Sequence, residues 1–535
     1  MVTSLASLSS HRHPEPETET RERSRRFRRP RILIVTPELN GSAYLGRNGT
    51  PGPRAKAGGL ADISTLLVDE LSARGIDVRV AMPHFRNLFP DGPLSRRLHL
   101  CRDREFFYRR SVYDGSQEAN RRAALAFQRE VIQNIIPAVR PDVVHCHDWM
   151  TGLVPAAAKA MSIKSLFTVH NLHDEITTMA EAEDRGIDTA RFWQNLHFGN
   201  YPHSYEESRN SNPVSMMASA IHASDHVNTV SPSFLQEMMD GRHVAGWGLC
   251  DVLRGKHRYG AASGILNAPD PDCSPEQDGR IVQRYGAADH REAKRSNKLE
   301  LQRQLGLEVD AEVPLLFWPS RLDPTQKGCG LLAHILYQVV NDYWGLGLQV
   351  VFVADGPFRP HFEHIVNFHG LHKRIAVCGF EEGLSRQAYA ASDFSLVPSA
   401  YEPCGLAQMV AMKYGSLPVV HKTGGLQDTV QHLSVEQRKG NGFVFETHDC
   451  GGLRWAIDEA IRFYLRPEAE REREISRIMR ESAATFSPRA TAEAYIKLYE
   501  QLSGRVIGGP LEAPVAKSSP GFVPVRVPSR SVEAA

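Results

Sequence analysis

Residues 394–430 read FSLVPSAYEPCGLAQMVAMKYGSLPVVHKTGGLQDTV and place two strand-to-helix crossings in one continuous segment. The apolar run 394–397 is a short strand ended by Pro398. Over 405–414, Leu406, Met409, Val410 and Met412 recur at helical spacing until Gly415. A second apolar run, 417–420, leads into the turn Lys422-Thr423-Gly424-Gly425, after which 426–430 begins another helix. Glu402 lies in the first crossing just ahead of a helix start, where free N–H groups and the helix dipole favour an anion. Read alone, it is a helix-capping acid.

The chain has 535 residues, which is too many for one core and suggests two or three domains. Its composition, 41% hydrophobic and 23% charged, is that of an ordinary soluble globular protein. A net charge of +1 gives no electrostatic case for nucleic acid as a partner. The eight cysteines are scattered without a CxxC pair, which fits a reducing cytoplasm. No apolar run is long enough to span a bilayer. Residues 1–30 mix prolines, acids and a dense arginine run and read as a disordered basic tail. Glu15, Glu17, Glu19 and Glu22 argue against an organellar transit segment there.

Ordered sequence begins at 31–38, RILIVTPE, a buried-strand pattern, and Lys56-Ala57-Gly58-Gly59-Leu60-Ala61-Asp62 opens a helix that runs to 73. A strand, a glycine-rich loop and a helix form a phosphate cradle: Gly58 and Gly59 allow close approach of N–H groups, and Lys56 adds a point charge. The competing reading is a tight turn with a surface lysine. Residues 77–82 are a second strand, 84–120 are weakly patterned, and 123–139 return to helical spacing. The strand 141–149, PDVVHCHDW, ends in His145, His147 and Asp148. These lack a third ligand group at metal spacing, so no metal is expected. Another strand, 164–170, ends at His170-Asn171, a polar pair where open α/β sheets hold ligands. Alone, His170 is more often structural than catalytic.

The second half repeats this logic. After Ser263-Gly264-Ile265-Leu266-Asn267, a helix over 293–305 precedes a strand at 314–317 that delivers Ser320-Arg321-Leu322-Asp323-Pro324-Thr325-Gln326-Lys327-Gly328. The guanidinium fork of Arg321 and the point charge of Lys327 on one loop suit a diphosphate. Two unpaired surface cations are the plainer alternative. Strands at 348–353 and 375–380 and a helix at 385–391 lead back to the opening segment. A last amphipathic helix begins at 488, and from 504 the glycine, proline and serine content predicts a disordered tail.

Alternating strands and helices predict an α/β protein with two parallel-sheet, Rossmann-like domains facing each other across a cleft. Residues 31–264 form the first domain and 265–487 the second. Residues 488–503 are a helix crossing back to the first domain, and 504–535 are a tail.

The series EPCGL, YG, PVV, TGGL and DTV in the opening segment resembles the bacterial glycogen synthase and plant starch synthase family, glycosyltransferase family five. Lys56-x-Gly58-Gly59, the HxHDW strand end, His170-Asn171, the GILN of 264–267 and SRL…QKG are similar to other motifs of that family. The resemblance spans about residues 31–502 and implies the GT-B fold. It also implies a retaining transfer of glucose from ADP-glucose to the non-reducing end of an α-1,4-glucan, without a metal cofactor. On this basis Arg321 and Lys327 hold the diphosphate with help from Lys56, Gly58 and Gly59. Asp148, His170 and Asn171 position the glucosyl group, and Glu402 stabilises the cationic sugar or binds its hydroxyls. Asn267, Cys404, Gly405, Leu406, Thr423, Gly424 and Gly425 complete the donor site.

The chain departs from the family pattern in a longer 39–55 segment, expected as a flap or rim ornament; in an extra residue near Pro324; in His173-Asp174-Glu175 where relatives read AYQG; and in Ala218 and Ala268, where relatives carry a lysine and a glycine. The 39–55 segment and the 173–175 loop keep open a different nucleotide sugar or acceptor on the same frame. A silent glucan-binding relative is the third reading, and the retained charged groups speak against it.

Overall fold

The strands Arg31–Val35 (β1), Asp77–Pro83 (β2), Leu98–Cys101 (β3), Val143–His147 (β4), Lys164–Val169 (β5), His226–Thr229 (β6) and Ala262–Gly264 (β7) form one sheet in the order β7-β6-β5-β4-β1-β2-β3. Every pairing in it is parallel. The computed structural model describes residues 30–46, 52–89, 94–113, 115–243 and 248–507. Helices on both faces explain why Ile32 to Val35 are all fully buried, the continuous apolar run of a parallel strand.

A second parallel sheet follows, with Leu315–Trp318 (β8), Gln349–Val353 (β9), Ile375–Cys378 (β10), Phe394–Val397 (β11), Leu417–His421 (β12) and Phe443–Phe445 (β13) ordered β10-β9-β8-β11-β12-β13. In each sheet the strand order reverses once, between β1 and β4 and between β8 and β11. Such switch points open a crevice at the carboxyl ends of the strands, where α/β sheets bind ligands.

The helix Pro488–Ser503 lies on the first sheet, although it follows the second in the chain. Its Tyr495 and Tyr499 are fully buried in the first core. The Tyr499 hydroxyl is 2.8 Å from His145 Nδ1, and Asn228 Nδ2 donates to the Tyr495 hydroxyl at 3.1 Å. Residues 504–507, expected to be part of a tail, continue this packing. Ile507 is buried, its N–H donates to Glu500 at 2.8 Å, and Arg505 pairs with Asp142. The remaining expectations for 1–29 and 508–535 lie outside the described residues.

Several elements differ from the sequence reading. The weakly patterned 84–120 region contains the edge strand β3 and a helix Arg104–Phe107. The helix expected over 123–139 starts at Gln117, where the Ser116 hydroxyl accepts the Ala119 N–H, and its path passes through a π-helical turn, Val131–Ile135. Pro137, lacking an N–H, sits directly after that wide turn. The helix expected from 405 begins at Ala407, because Gly405 takes a left-handed φ of 72°. The helix expected from 426 begins at Gly424, so the two glycines form its first turn. The 39–55 segment is a small hairpin base pairing Leu39–Asn40 with Arg54–Ala55, with Leu39, Ser42 and Leu45 buried against the Gly59–Ala73 helix side. Its residues 47–51 lie outside the described set. Among the described residues no helix is long and apolar enough to cross a membrane, and no cluster of His, Cys, Asp and Glu is arranged to hold a metal.

Candidate active site

At the end of β1, Glu38 is almost completely buried and organises the glycine-rich loop. Its Oε2 accepts the N–H groups of Ala57 and Gly58, both at 2.9 Å, and its Oε1 accepts the Tyr113 hydroxyl at 3.0 Å. Burial pushes this carboxyl up, against the pull of the two amides. Lys56 Nζ lies 2.8 Å from Asp62 in a half-exposed pair, which screening makes weak and open to exchange for a stronger anion. Gly58 faces open space, and a Cβ added at Gly59 would lie 3.8 Å from Leu406 Cδ1, so this loop faces the segment after β11 across the crevice.

At the end of β4, Asp148 adopts φ 56° and ψ 178°, a conformation costly for any side chain and concentrated at functional sites. The strain directs its carboxylate back onto the end of β5, where Oδ1 accepts the His170 N–H at 2.7 Å. Burial raises the Asp148 carboxyl to about 7, the His170 and Asn171 amides oppose the rise, and the Glu38 charge adds to it. His170 Nε2 is 2.9 Å from His147 Nδ1, and burial lowers the His170 imidazole to about 3, so this ring is neutral. Behind it, His145 bridges Thr168 Oγ1 at 2.7 Å and Tyr499 at 2.8 Å, tying the site to the last helix. His147 Nε2 is buried without a hydrogen-bond partner among the described residues. Asn171 uses its own side chain to accept the Leu172 N–H at 2.7 Å, which shapes the loop.

The charges of the altered His173-Asp174-Glu175 loop mostly turn inward. Asp174 accepts from the Ser215 hydroxyl at 2.6 Å and the Met217 N–H at 2.8 Å, holding the start of the Met216–Ala223 helix, and Glu175 is buried. His173 alone stays exposed, with its ring 5.5 Å from that of Trp149.

Across the crevice, Lys327 Nζ lies 2.6 Å from Glu402 Oε2, which also accepts the Ser399 hydroxyl at 2.9 Å. The extra residue near Pro324 does not shorten the reach of Lys327. Asp323 Oδ1 accepts the Thr325 and Gln326 N–H groups at 2.9 and 2.8 Å, folding the longer loop into a turn. Gly328 then passes so close to Pro398 that an added Cβ would meet its carbonyl oxygen at 2.0 Å, locking the β8 and β11 loops together. Arg321 is exposed and has no hydrogen-bond or ion-pair partner among the described residues.

Thr423, Gly424 and Gly425 sit beside Glu402, but their donors are committed within the protein. Gly424 N–H donates to Glu237 at 2.8 Å, Thr423 Oγ1 to the same carboxylate at 3.1 Å, and Gly425 N–H to the Glu402 carbonyl at 2.9 Å. The glycines are needed for closeness, since a Cβ on Gly425 would stand 1.9 Å from the Cys404 carbonyl oxygen. The Cys404 thiol, pushed up to about 12 by burial, faces the backbone N–H of Asn267. The Asn267 side-chain oxygen is buried at this junction without a hydrogen-bond partner among the described residues.

The sequence reading missed Glu38, Tyr113 and Glu237. Glu38 stands at a strand end beside the switch point, and that position was the available signal. A separate cavity of about 580 Å³ lies along β3, lined by His84, His99 and Arg102, away from the crevice.

Residues 31–255 match the starch synthase catalytic domain, and residues 313–462 match the glycosyl transferases group 1 family. The glycogen synthase of Geobacillus stearothermophilus is 32% identical over 488 residues, covering 84% of this chain and 96% of that protein. That of Exiguobacterium sibiricum is 33% identical over 497 residues, covering 84% and 97%. Among solved structures, the catalytic domain of starch synthase IV from Arabidopsis thaliana bound to ADP and acarbose superposes with a TM-score of 0.73 at 27% identity, covering 89% of this chain and all of that one. A sucrose-phosphate synthase from Thermosynechococcus elongatus shares the fold, with a TM-score of 0.56 at 19% identity.

Proposed function

The chain belongs to the glycogen and starch synthase family of glycosyltransferases, and from this premise we propose that it transfers glucose from ADP-glucose to the non-reducing 4-hydroxyl of an α-1,4-glucan with retention of configuration. The observation that carries the reading is Arg321, without a hydrogen-bond or ion-pair partner among the described residues, on the same loop as Lys327, whose partner Glu402 lies on the segment that reaches Gly59 through Leu406.

In this reading the diphosphate lies between Arg321, Lys327 and the 56–59 loop. The bond from sugar C1 to the phosphate oxygen breaks with its electron pair leaving on the diphosphate. The acceptor O4 bonds to C1 on the same face, and its proton passes to the departing oxygen. Charge grows on the diphosphate during this step, so cations fixed in advance lower the barrier, by roughly 3–4 kcal/mol for one such group. The carboxylate of Glu402 stabilises the positive sugar. Neutral His170 donates to a sugar oxygen, Asp148 orients it, and Asn171 fixes the loop. Lys56 exchanges Asp62 for phosphate. Arg321 and Lys327 meet the leaving group, and no metal is assigned to the step.

A screen of ADP-, UDP- and GDP-glucose with a maltooligosaccharide acceptor tests the donor. Preferred turnover of ADP-glucose is expected. Preference for another nucleotide overturns the donor assignment, and glucan binding without turnover of any donor overturns the enzymatic reading.

A further inference from the structure

Two helices on opposite sides of the crevice cap each other. Asp428, on the Gly424–Thr429 helix, accepts the Ser233 N–H at 3.0 Å and the Ser231 and Ser233 hydroxyls, each at 2.6 Å, at the start of the Pro232–Met239 helix. Glu237, on that second helix, accepts the Gly424 N–H at 2.8 Å and the Thr423 hydroxyl at 3.1 Å, at the start of the first. The Glu237 carboxylate also meets His243, with Nε2 at 2.9 Å, and the His243 ring lies 5.5 Å from that of Tyr401, the neighbour of Glu402.

The two contacts differ in what lies behind them. Asp428 ends on the side chains and backbone of Ser231 and Ser233, neither of which is a proposed site residue. Behind the amide held by Glu237 stands the backbone of Glu402. A Cβ on Gly424 would be 2.1 Å from the Glu402 carbonyl oxygen, and the next amide, Gly425 N–H, donates to that oxygen at 2.9 Å. The 423–425 turn is therefore clamped between a carboxylate of the first half and the Glu402 carbonyl of the second.

We propose that Glu237 is a positioning residue for glucosyl transfer: by gripping the Gly424 amide it holds Gly425 against the Glu402 carbonyl and so sets the carboxylate that faces the sugar. Because Glu237 comes from the opposite half, the site is set only when the halves meet. This rests on the role given to Glu402 above.

Steady-state kinetics on full-length Glu237→Ala, Glu237→Asp, Glu237→Gln and Asp428→Ala test it, with amide exchange read at Gly424 and Gly425. Glu237→Ala is expected to lower kcat about tenfold or more with the donor KM within about twofold, since misplacement removes an interaction made in the transition state. Glu237→Asp, which withdraws the carboxylate by one methylene and keeps its charge, shows the same split if the alanine variant does not fold. Glu237→Gln, which keeps an acceptor for the amide, restores most of kcat. Asp428→Ala, which loosens the same boundary elsewhere, leaves kcat within about threefold. Exchange at Gly424 and Gly425 quickens in the Glu237 alanine and aspartate variants only. Equal kcat losses at Glu237 and Asp428, or a kcat within about twofold of wild type in both Glu237→Ala and Glu237→Asp, overturn the proposal. A wild type inactive on ADP-glucose sinks the donor assignment, whereas the exchange, which needs no turnover, still decides whether Glu237 holds the turn.

Discussion

Lys327 Nζ stands 2.6 Å from Glu402 Oε2 with the two side chains only 12% and 10% exposed, so the proposed leaving-group cation and sugar-facing carboxylate neutralise each other before substrate arrives. Removing either partner leaves the other nearly buried and uncompensated. Lys327→Ala and Glu402→Ala are each expected to destabilise the fold, and the double variant to lose less than their sum by about 1–3 kcal/mol. Urea midpoints for the four proteins measure this coupling.

The unpartnered state of Arg321 leads to the opposite expectation for stability. Arg321→Ala leaves the thermal midpoint within about 1 °C, because an exposed cation without a partner contributes little to the fold. Its kcat/KM for the nucleotide sugar falls by about 10²-fold or more. A large loss of stability would place this guanidinium in the scaffold instead.

Glycines in the two motifs separate by the same reasoning. Gly425→Ala would drive a Cβ into the Cys404 carbonyl at 1.9 Å and is expected to destabilise by about 3 kcal/mol or more. Gly58→Ala meets nothing within 4 Å and has an ordinary extended backbone, so stability changes by less than about 0.5 kcal/mol. The donor KM nevertheless rises if a phosphate approaches this loop. Denaturation midpoints and donor KM values for both variants check the contrast.

These glycines also show where sequence reading reached its limit. The strand, loop and helix units were legible because parallel strands buried on both faces are unbroken apolar runs, as in Ile32 to Val35 and Phe394 to Val397. The edge strand β3, LHLC with its two central residues only half-buried, carries no such signature. The sequence assigns the Thr423-Gly424-Gly425 turn to the donor site with no sign that its amides are taken, because the carboxylate that accepts the Gly424 N–H, Glu237, lies 187 residues away in the chain. The Lys327–Glu402 pairing and the bend at Asp148 are likewise tertiary, set by how two strand ends meet. Local sequence identified Lys56, Asp148, Arg321, Lys327 and Glu402, whereas Glu38, Glu237 and the pairing of these groups required the fold.

Asp148 supplies a pH signature. Its folded carboxyl titrates at about 7 against an unfolded value of about 3.9, so the native state favours the protonated acid. The stability this contributes is complete below about pH 4 and is lost as the pH rises through 7. Burial lowers His170 to about 3, and its contribution runs the other way, present above about 6.5 and lost as the pH falls toward 3. Wild type alone therefore shows a muted slope. The stability of Asp148→Asn relative to wild type is expected to improve by about 2–4 kcal/mol between pH 4 and 7. A difference that does not change with pH would contradict the buried, protonated carboxyl.

The most direct test of the account is elongation of an α-1,4-glucan from ADP-glucose by wild type and by Lys327→Ala, scored by product length and by the anomeric configuration of the new linkage. The account predicts α-1,4-linked chains from wild type and a kcat lower by about 10²–10³-fold in the variant. Equal rates in the two proteins, or no transfer from ADP-glucose by wild type, would contradict it.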